Sequence, residues 1–192
     1  YGGYPELHTK ALSENETLKS EIKEHILGGL PCIAECGGFL YLHETLETPE
    51  KERFPMCGVI AGNGFGTGKL CRFGYMTLTA QKDTMLAAKG ETIRAHEFHY
   101  WNSDNIGADY EITKASDNTA ASGGYGTDTL YAGFPHIYFY GNEAAAKRFL
   151  KACEMYHENN IKDVHAISYG MAEKNDIYRI FPELAEAGGL DK

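Results

Sequence analysis

The stretch Leu30-Pro31-Cys32-Ile33-Ala34-Glu35-Cys36-Gly37-Gly38-Phe39-Leu40-Tyr41-Leu42 decides how this chain folds. Residues 30–35 are short, apolar and proline-started, which suits a buried strand. Phe39, Leu40, Leu42 and then Leu46 follow at helical spacing. No spacer separates the two runs, so Cys36 stands at a strand-to-helix junction. The string Ala34-Glu35-Cys36-Gly37-Gly38 has the small-x-nucleophile-x-Gly form of a nucleophile elbow, with Ala34 in place of the first glycine. A sharp turn of this kind lifts one side chain over the sheet edge, and the following helix start offers free amides that favour thiolate and hold a developing oxyanion. The competing reading is a buried cysteine that serves as a small hydrophobe.

Upstream, Ser13 and Glu16 form a capping box, and Leu18, Ile22 and Ile26 recur at helical spacing until Gly28-Gly29. Downstream, residues 47–55 read as a polar loop, and residues 56–61 and 70–79 as two strands of a hairpin or meander around a glycine-rich turn. Gly62, Gly64, Gly66, Gly68 and Lys69 do not make a phosphate loop, because the Walker pattern needs glycine at Asn63 and serine or threonine at Leu70. Residues 92–101 and 110–114 read as strands, 118–126 as a loop, and 130–140 as a strand ending at Gly141-Asn142. Asn142 then caps a helix from Glu143 to about His157, with Ala146, Phe149, Leu150 and Cys153 facing inward. A last amphipathic piece spans residues 177–184, interrupted by Pro182. Helices alternating with apolar strands predict an α/β layered sheet, with ligands at the carboxyl ends of strands.

Composition narrows the function. With 192 residues, 43% of them apolar and 12% aromatic, the chain can fill the core of one domain with an appendage, which excludes a disordered polypeptide. No run approaches the roughly 18 apolar residues of a membrane span, and Glu6, Lys10, Glu14, Glu16 and Lys19 break any secretory signal. A soluble, cytoplasmic protein is expected. The formal charge of −9 argues against nucleic acid as a partner. Cys32, Cys36, Cys57, Cys71 and Cys153 form no CxxC pair and read as reduced thiols. The chain opens at Tyr1 on a turn-like Gly2-Gly3-Tyr4-Pro5, which suggests a domain excised from a longer protein.

A thiol nucleophile needs a base. Of eight histidines, His96, His99 and His136 lie in apolar strand contexts far enough along for a sheet fold to bring them back. His136, between Phe134-Pro135 and Ile137-Tyr138-Phe139, sits near a strand end, although a lone strand histidine also serves as a packed core residue. His96-Glu97-Phe98-His99 is one residue short of the zincin motif and lies on a strand, where His96 and His99 point to opposite faces, so no metal site is expected.

The strings Gly2-Gly3-Tyr4-Pro5-Glu6-Leu7, residues 34–42 and His96-Glu97-Phe98-His99-Tyr100, with a weaker match at Gly133-Phe134-Pro135-His136 and Asn142, resemble the glutamine amidotransferase domain of cobyrinic acid a,c-diamide synthase and its corrinoid relatives. The likeness covers residues 1–152. It implies a three-layer α/β sandwich with a mostly parallel central sheet of the class I amidotransferase type. It implies that Cys36 attacks the side-chain amide of L-glutamine and forms a glutamyl thioester while His136 shuttles the proton. The amides of Gly3 and Gly37 would hold the oxyanion, and His96, Glu97 and His99 would wall the glutamine pocket. Members of the wider class carry a glutamate two residues after the histidine; Tyr138 stands there, so nothing in the sequence names what orients His136.

The resemblance further implies that ammonia passes to an N-terminal synthetase domain, absent here, which uses ATP and Mg to amidate the a and c carboxylates of cobyrinic acid. No cofactor is expected in residues 1–152 themselves, a homodimer is compatible with them, and weak or no turnover is expected in isolation. Residues 153–192 are an extension of unknown role. The alternatives are the same domain of cobyric acid synthase or of a nickel-tetrapyrrole a,c-diamide synthase, or a non-glutaminase cysteine hydrolase or binding module on the same fold.

Overall fold

Two helices, α1 (Thr9–Glu14) and α2 (Glu16–Leu27), precede the first strand in a computed structural model that describes residues 2–164, with side chains through residue 160. The break between them falls at Asn15, whose side chain accepts the Leu18 N–H at 3.2 Å. Asn15 therefore caps α2 in place of Ser13, which is buried in α1 and donates its hydroxyl to the Lys10 carbonyl at 2.8 Å. As expected, α2 closes at Gly28-Gly29, with Gly29 at φ 90°.

The apolar run gives β1 (Cys32–Glu35), and α3 (Gly37–Tyr41) follows the elbow directly. The helix expected to reach Leu46 stops after five residues, and β2 (His43–Glu47) begins. His43 ends it: its buried ring bonds the Phe39 carbonyl through Nδ1 at 2.9 Å and the Ser103 hydroxyl through Nε2 at 2.6 Å. Leu46, fully buried, belongs to the sheet.

The strands form three sheets. In the first, β2 lies between β3 (Arg53–Pro55) and β4 (Ile60–Gly66), and β7 (Trp101–Ser103) pairs with the far edge of β4. The glycine-rich run expected as a turn is thus largely β4, and no phosphate loop forms there. A Cβ on Gly64 would come within 2.7 Å of Leu46 Cδ1 and 2.8 Å of Leu40 Cδ2, so glycine is what lets this strand lie against the core. The second sheet is antiparallel throughout, in the order β12 (His136–Ile137), β6 (Thr92–His99), β5 (Arg72–Ala80), β8 (Tyr110–Lys114) and β9 (Ala120–Gly123). The third places β11 (Leu130–Gly133) between β1 and β10 (Tyr125–Gly126). The segment expected as a loop at 118–126 therefore supplies two strands. The long strand expected at 130–140 breaks at Phe134-Pro135, because proline cannot donate to a ladder, and its two pieces join different sheets.

The architecture is α/β, but its sheets are mixed. Of nine ladders among the described residues only β1 with β11 and β2 with β4 are parallel, which corrects the expected mostly parallel sheet. Parallel neighbours need long crossovers, whereas links such as residues 81–91 between β5 and β6 simply reverse the chain. β11 separates two cores. Leu130 and Ala132 pack with Phe39, Leu40, Leu46 and Ile60, while Tyr131 packs with Leu78, Leu86, Ile93 and Tyr110. This alternation is the period-two signature of a strand covered on both faces.

Asn142 precedes α4 (Glu143–Val164), but its side chain grips β6, accepting the Arg94 N–H at 3.0 Å and donating to the Arg94 carbonyl at 3.0 Å. The inward face of α4 carries Ala145, Phe149 and Ala152, whereas Leu150, expected inward, is exposed. Among the described residues, 2–156 form one compact unit. The piece expected at 177–184 lies outside the described residues. No helix among them is long and apolar enough to cross a membrane.

Candidate active site

The site begins where β1 ends. Glu35 pairs with Gly133 in register, and the Cys36 N–H donates to the Gly133 carbonyl at 2.8 Å, so the parallel ladder runs up to the cysteine itself. There the backbone turns sharply: Cys36 has φ 49° and ψ −103°, a left-handed conformation that is costly for a residue with a Cβ. This is the strained turn of a nucleophile elbow. Cys36 is largely buried yet lines a cavity of about 510 Å³, together with Gly2, Gly3, Glu6, His96, His99 and His136.

His136 reaches the same cavity from β12, where it lies opposite His96 on β6. Its ring shares the cavity with the Cys36 side chain, and its Nδ1 stands 3.2 Å from Glu35 Oε2. The Cys36 side chain first, and the Glu35 carboxylate second, raise the imidazole from 6.5 to about 9 against the opposing effect of burial. Gly2 packs on the ring: a Cβ there would sit 2.8 Å from His136 Cε1. Gly37 packs on the opening segment in the same way, since its Cβ would meet Gly3 N, Gly3 O and Pro5 Cδ each at 3.0 Å. The structure thus brings together Cys36, His136, Gly3 and Gly37 from three distant parts of the sequence.

The strand β6 divides its candidates. His96 lines the thiol cavity, with Phe73 and Tyr75 edge-on at 5.6 and 5.3 Å. His99 also lines it, stacked on Phe134 at 3.9 Å with its Nδ1 bonded to the Trp101 carbonyl at 2.6 Å. Glu97 does not. With His99 it faces a second cavity of about 110 Å³, its Oε2 3.7 Å from Arg72 and 3.9 Å from His99 Nε2. The expected trio is therefore divided by strand alternation, with Glu97 and His99 on the buried face of β6 and His96 on the other, and His99 at the strand end lines both cavities.

Sequence reasoning missed two acidic neighbours. Glu6 lines the cavity and its carboxyl is raised by burial. Glu35, 2% exposed, touches the imidazole. Its place directly before the cysteine was the available signal, obscured by the rule that neighbouring strand residues face opposite ways. Among the described residues no group of three or more His, Cys, Asp or Glu side chains is placed to hold a metal ion.

The arrangement, a thiol on a strained turn sharing a cavity with an imidazole and flanked by two glycine backbones, suits acyl transfer through a thioester. Comparison with known proteins agrees with this chemistry. The chain is 38% identical over 157 residues to the cobyrinate a,c-diamide synthase of Caldanaerobacter subterraneus subsp. tengcongensis, covering 81% of this chain and 35% of that protein. It is 37% identical over 156 residues to the enzyme of the same name from Limosilactobacillus reuteri, covering 78% and 34%. With that of Thermoplasma volcanium it shares 33% over 158 residues, covering 81% and 34%. The chain thus spans about a third of the length of these curated relatives. Residues 1–144 match the family model, and the chain belongs to the CobB/CobQ-like glutamine amidotransferase domain family.

Proposed function

We propose that residues 1–152 are the glutaminase domain of an ATP-dependent amide ligase that amidates the a and c carboxylates of cobyrinic acid, with residues 153–192 an extension. The observation that carries this reading is that Cys36, on its strained turn, and His136 line one cavity with the two glycine backbones. The Cys36 thiol gives its proton to His136 as its sulfur attacks the side-chain amide carbon of L-glutamine, and the backbone amides of Gly3 and Gly37 receive the resulting oxyanion. The C–N bond then breaks as the imidazolium of His136 gives its proton to the leaving nitrogen, which departs as ammonia. A water deprotonated by His136 attacks the glutamyl thioester, releasing glutamate and restoring the thiol. His96 and His99 form the pocket wall in this scheme.

Ammonia then serves a synthetase domain, where ATP and Mg would bind. The relatives' names and their additional length support such a partner. The glycine run of this chain supports placing the nucleotide elsewhere, because it is built as strand β4. An exposed aromatic row, Phe73, Tyr75, Phe98 and Tyr100, flanks the cavity mouth and suits a protein neighbour. Five free cysteines suit the reducing cytoplasm.

The test is labelling with the glutamine-like diazoketone 6-diazo-5-oxo-L-norleucine, followed by peptide mass mapping. The label is expected on Cys36 and blocked by L-glutamine. An unlabelled Cys36 in folded protein that still reacts with iodoacetamide would overturn the glutaminase reading.

A further inference from the structure

The residue two places after His136 cannot orient it. Tyr138 is largely exposed, outside the cavity lining. A ring a third exposed to solvent still needs a fixed tautomer and direction to act on a sulfur. We infer that Glu35 is the positioning residue for His136, holding the imidazole by Nδ1 so that Nε2 is left facing Cys36. The inference rests on the glutaminase reading for its consequence in catalysis, but its geometry stands by itself.

Both oxygens of this buried carboxylate are spent on β12. Oε1 accepts the Ile137 N–H at 2.9 Å and Oε2 lies 3.2 Å from His136 Nδ1. A buried carboxylate needs such partners, and here they fix the backbone and the ring of the base strand at once. An imidazole nitrogen facing a carboxylate carries the proton in the neutral ring, which leaves the other nitrogen as the acceptor for a thiol proton.

The elbow explains how adjacent residues serve one ring. On a regular strand Glu35 and Cys36 would face opposite sides of the sheet. The left-handed turn at Cys36 ends that alternation, so Cys36 faces the cavity that His136 lines while Glu35 reaches the ring. The strain at residue 36 thus exposes the sulfur and also brings it to the side where its neighbour already holds the base.

Other ionisable groups face the same place. His96 lies opposite His136 in the β6 ladder. Tyr131 on β11 feels the charges of Glu35 and Glu97, and its hydroxyl is raised chiefly by burial. None of these is bonded to His136 Nδ1.

The test is long-range ¹H–¹⁵N NMR of the histidine rings in the 192-residue chain, with His136 assigned through His136→Gln. Wild type above the His136 transition is expected to show the Nδ1–H tautomer; an Nε2–H tautomer there overturns the inference even if no variant folds. In Glu35→Gln the amide donates to Nδ1, so the ring is expected to switch to Nε2–H. In a Cys36→Ala background, which removes the thiol's influence, His136 should keep a midpoint above 6.5 with Glu35 present and lose that elevation with Glu35→Gln. Glu35→Asp, retaining the charge, should recover part of it, and Tyr138→Phe should change nothing. An unaltered tautomer and midpoint in folded Glu35→Gln would overturn the inference while leaving the glutaminase reading intact. Failure of Cys36 to take the diazoketone label would do the reverse.

Discussion

Gly2 and His136 show how little room the site leaves at the scale of single residues. Because a Cβ on Gly2 would stand 2.8 Å from the imidazole, Gly2→Ala must displace either the ring or the opening segment. A displacement near 1 Å costs about 10²-fold in a positioned reaction. We expect the rate of Cys36 labelling by the diazoketone to fall by about that factor with the melting temperature unchanged. His136→Ala should lower glutamine hydrolysis by about 10²- to 10⁴-fold, measured as glutamate release with any synthetase domain present. The same histidine ties stability to pH. Its folded pKa, about 9, lies above the 6.5 of an ordinary imidazole, so its contribution is complete below about 6.5 and is lost as pH rises through about 9. Melting temperatures measured from pH 6 to 10 should therefore fall more steeply in wild type than in His136→Gln. That Cys36 stands at a sharp strand-to-helix junction was legible in the sequence, and the structure places His136 in the same cavity. The role of Glu35 was not legible, since it depends on one backbone torsion that no residue type announces.

At the scale of elements, the sequence marked strands well and their ends poorly. The start of α2 is an instance: Ser13 with Glu16 matches a capping box, yet Asn15, one residue before the helix, takes the exposed N–H of Leu18. Asn15→Ala is expected to cost about 1 kcal/mol in urea unfolding, as loss of an N-cap does. The glycine run was misread because glycine signals both a turn and a close approach, and only Leu40 and Leu46 across the sheet decide between them. Gly64→Ala should destabilise by about 1–3 kcal/mol, the usual cost of overpacking, with the two leucines shifting to absorb part of it. The long strand expected from residue 130 to 140 hid a change of sheet at Phe134-Pro135, the step that brings His136 to the thiol.

For the whole molecule, the layered α/β class followed from the alternation of patterns, while strand direction did not, because pairing is chosen by distant partners. Among the described residues β11 has the pivotal position, with Leu130 and Ala132 in one core and Tyr131 in the other. Tyr131 is fully buried and its hydroxyl donates to the Pro135 carbonyl at 3.0 Å. Tyr131→Ala should cost about 3–5 kcal/mol, the range for removing a buried aromatic ring. Calorimetry should show that both cores of the compact unit melt in one transition, because they share this strand.

The sulfur is carried by the sheet of β1 and β11, and the imidazole by the sheet of β6 and β12. Sliding one sheet past the other by a fraction of an ångström would lengthen or shorten the gap between sulfur and imidazole, and the Glu35 carboxylate, bonded to β12 through both oxygens, resists this shear. A force on the β5–β6 hairpin would therefore act on that gap, because β12 pairs directly with β6.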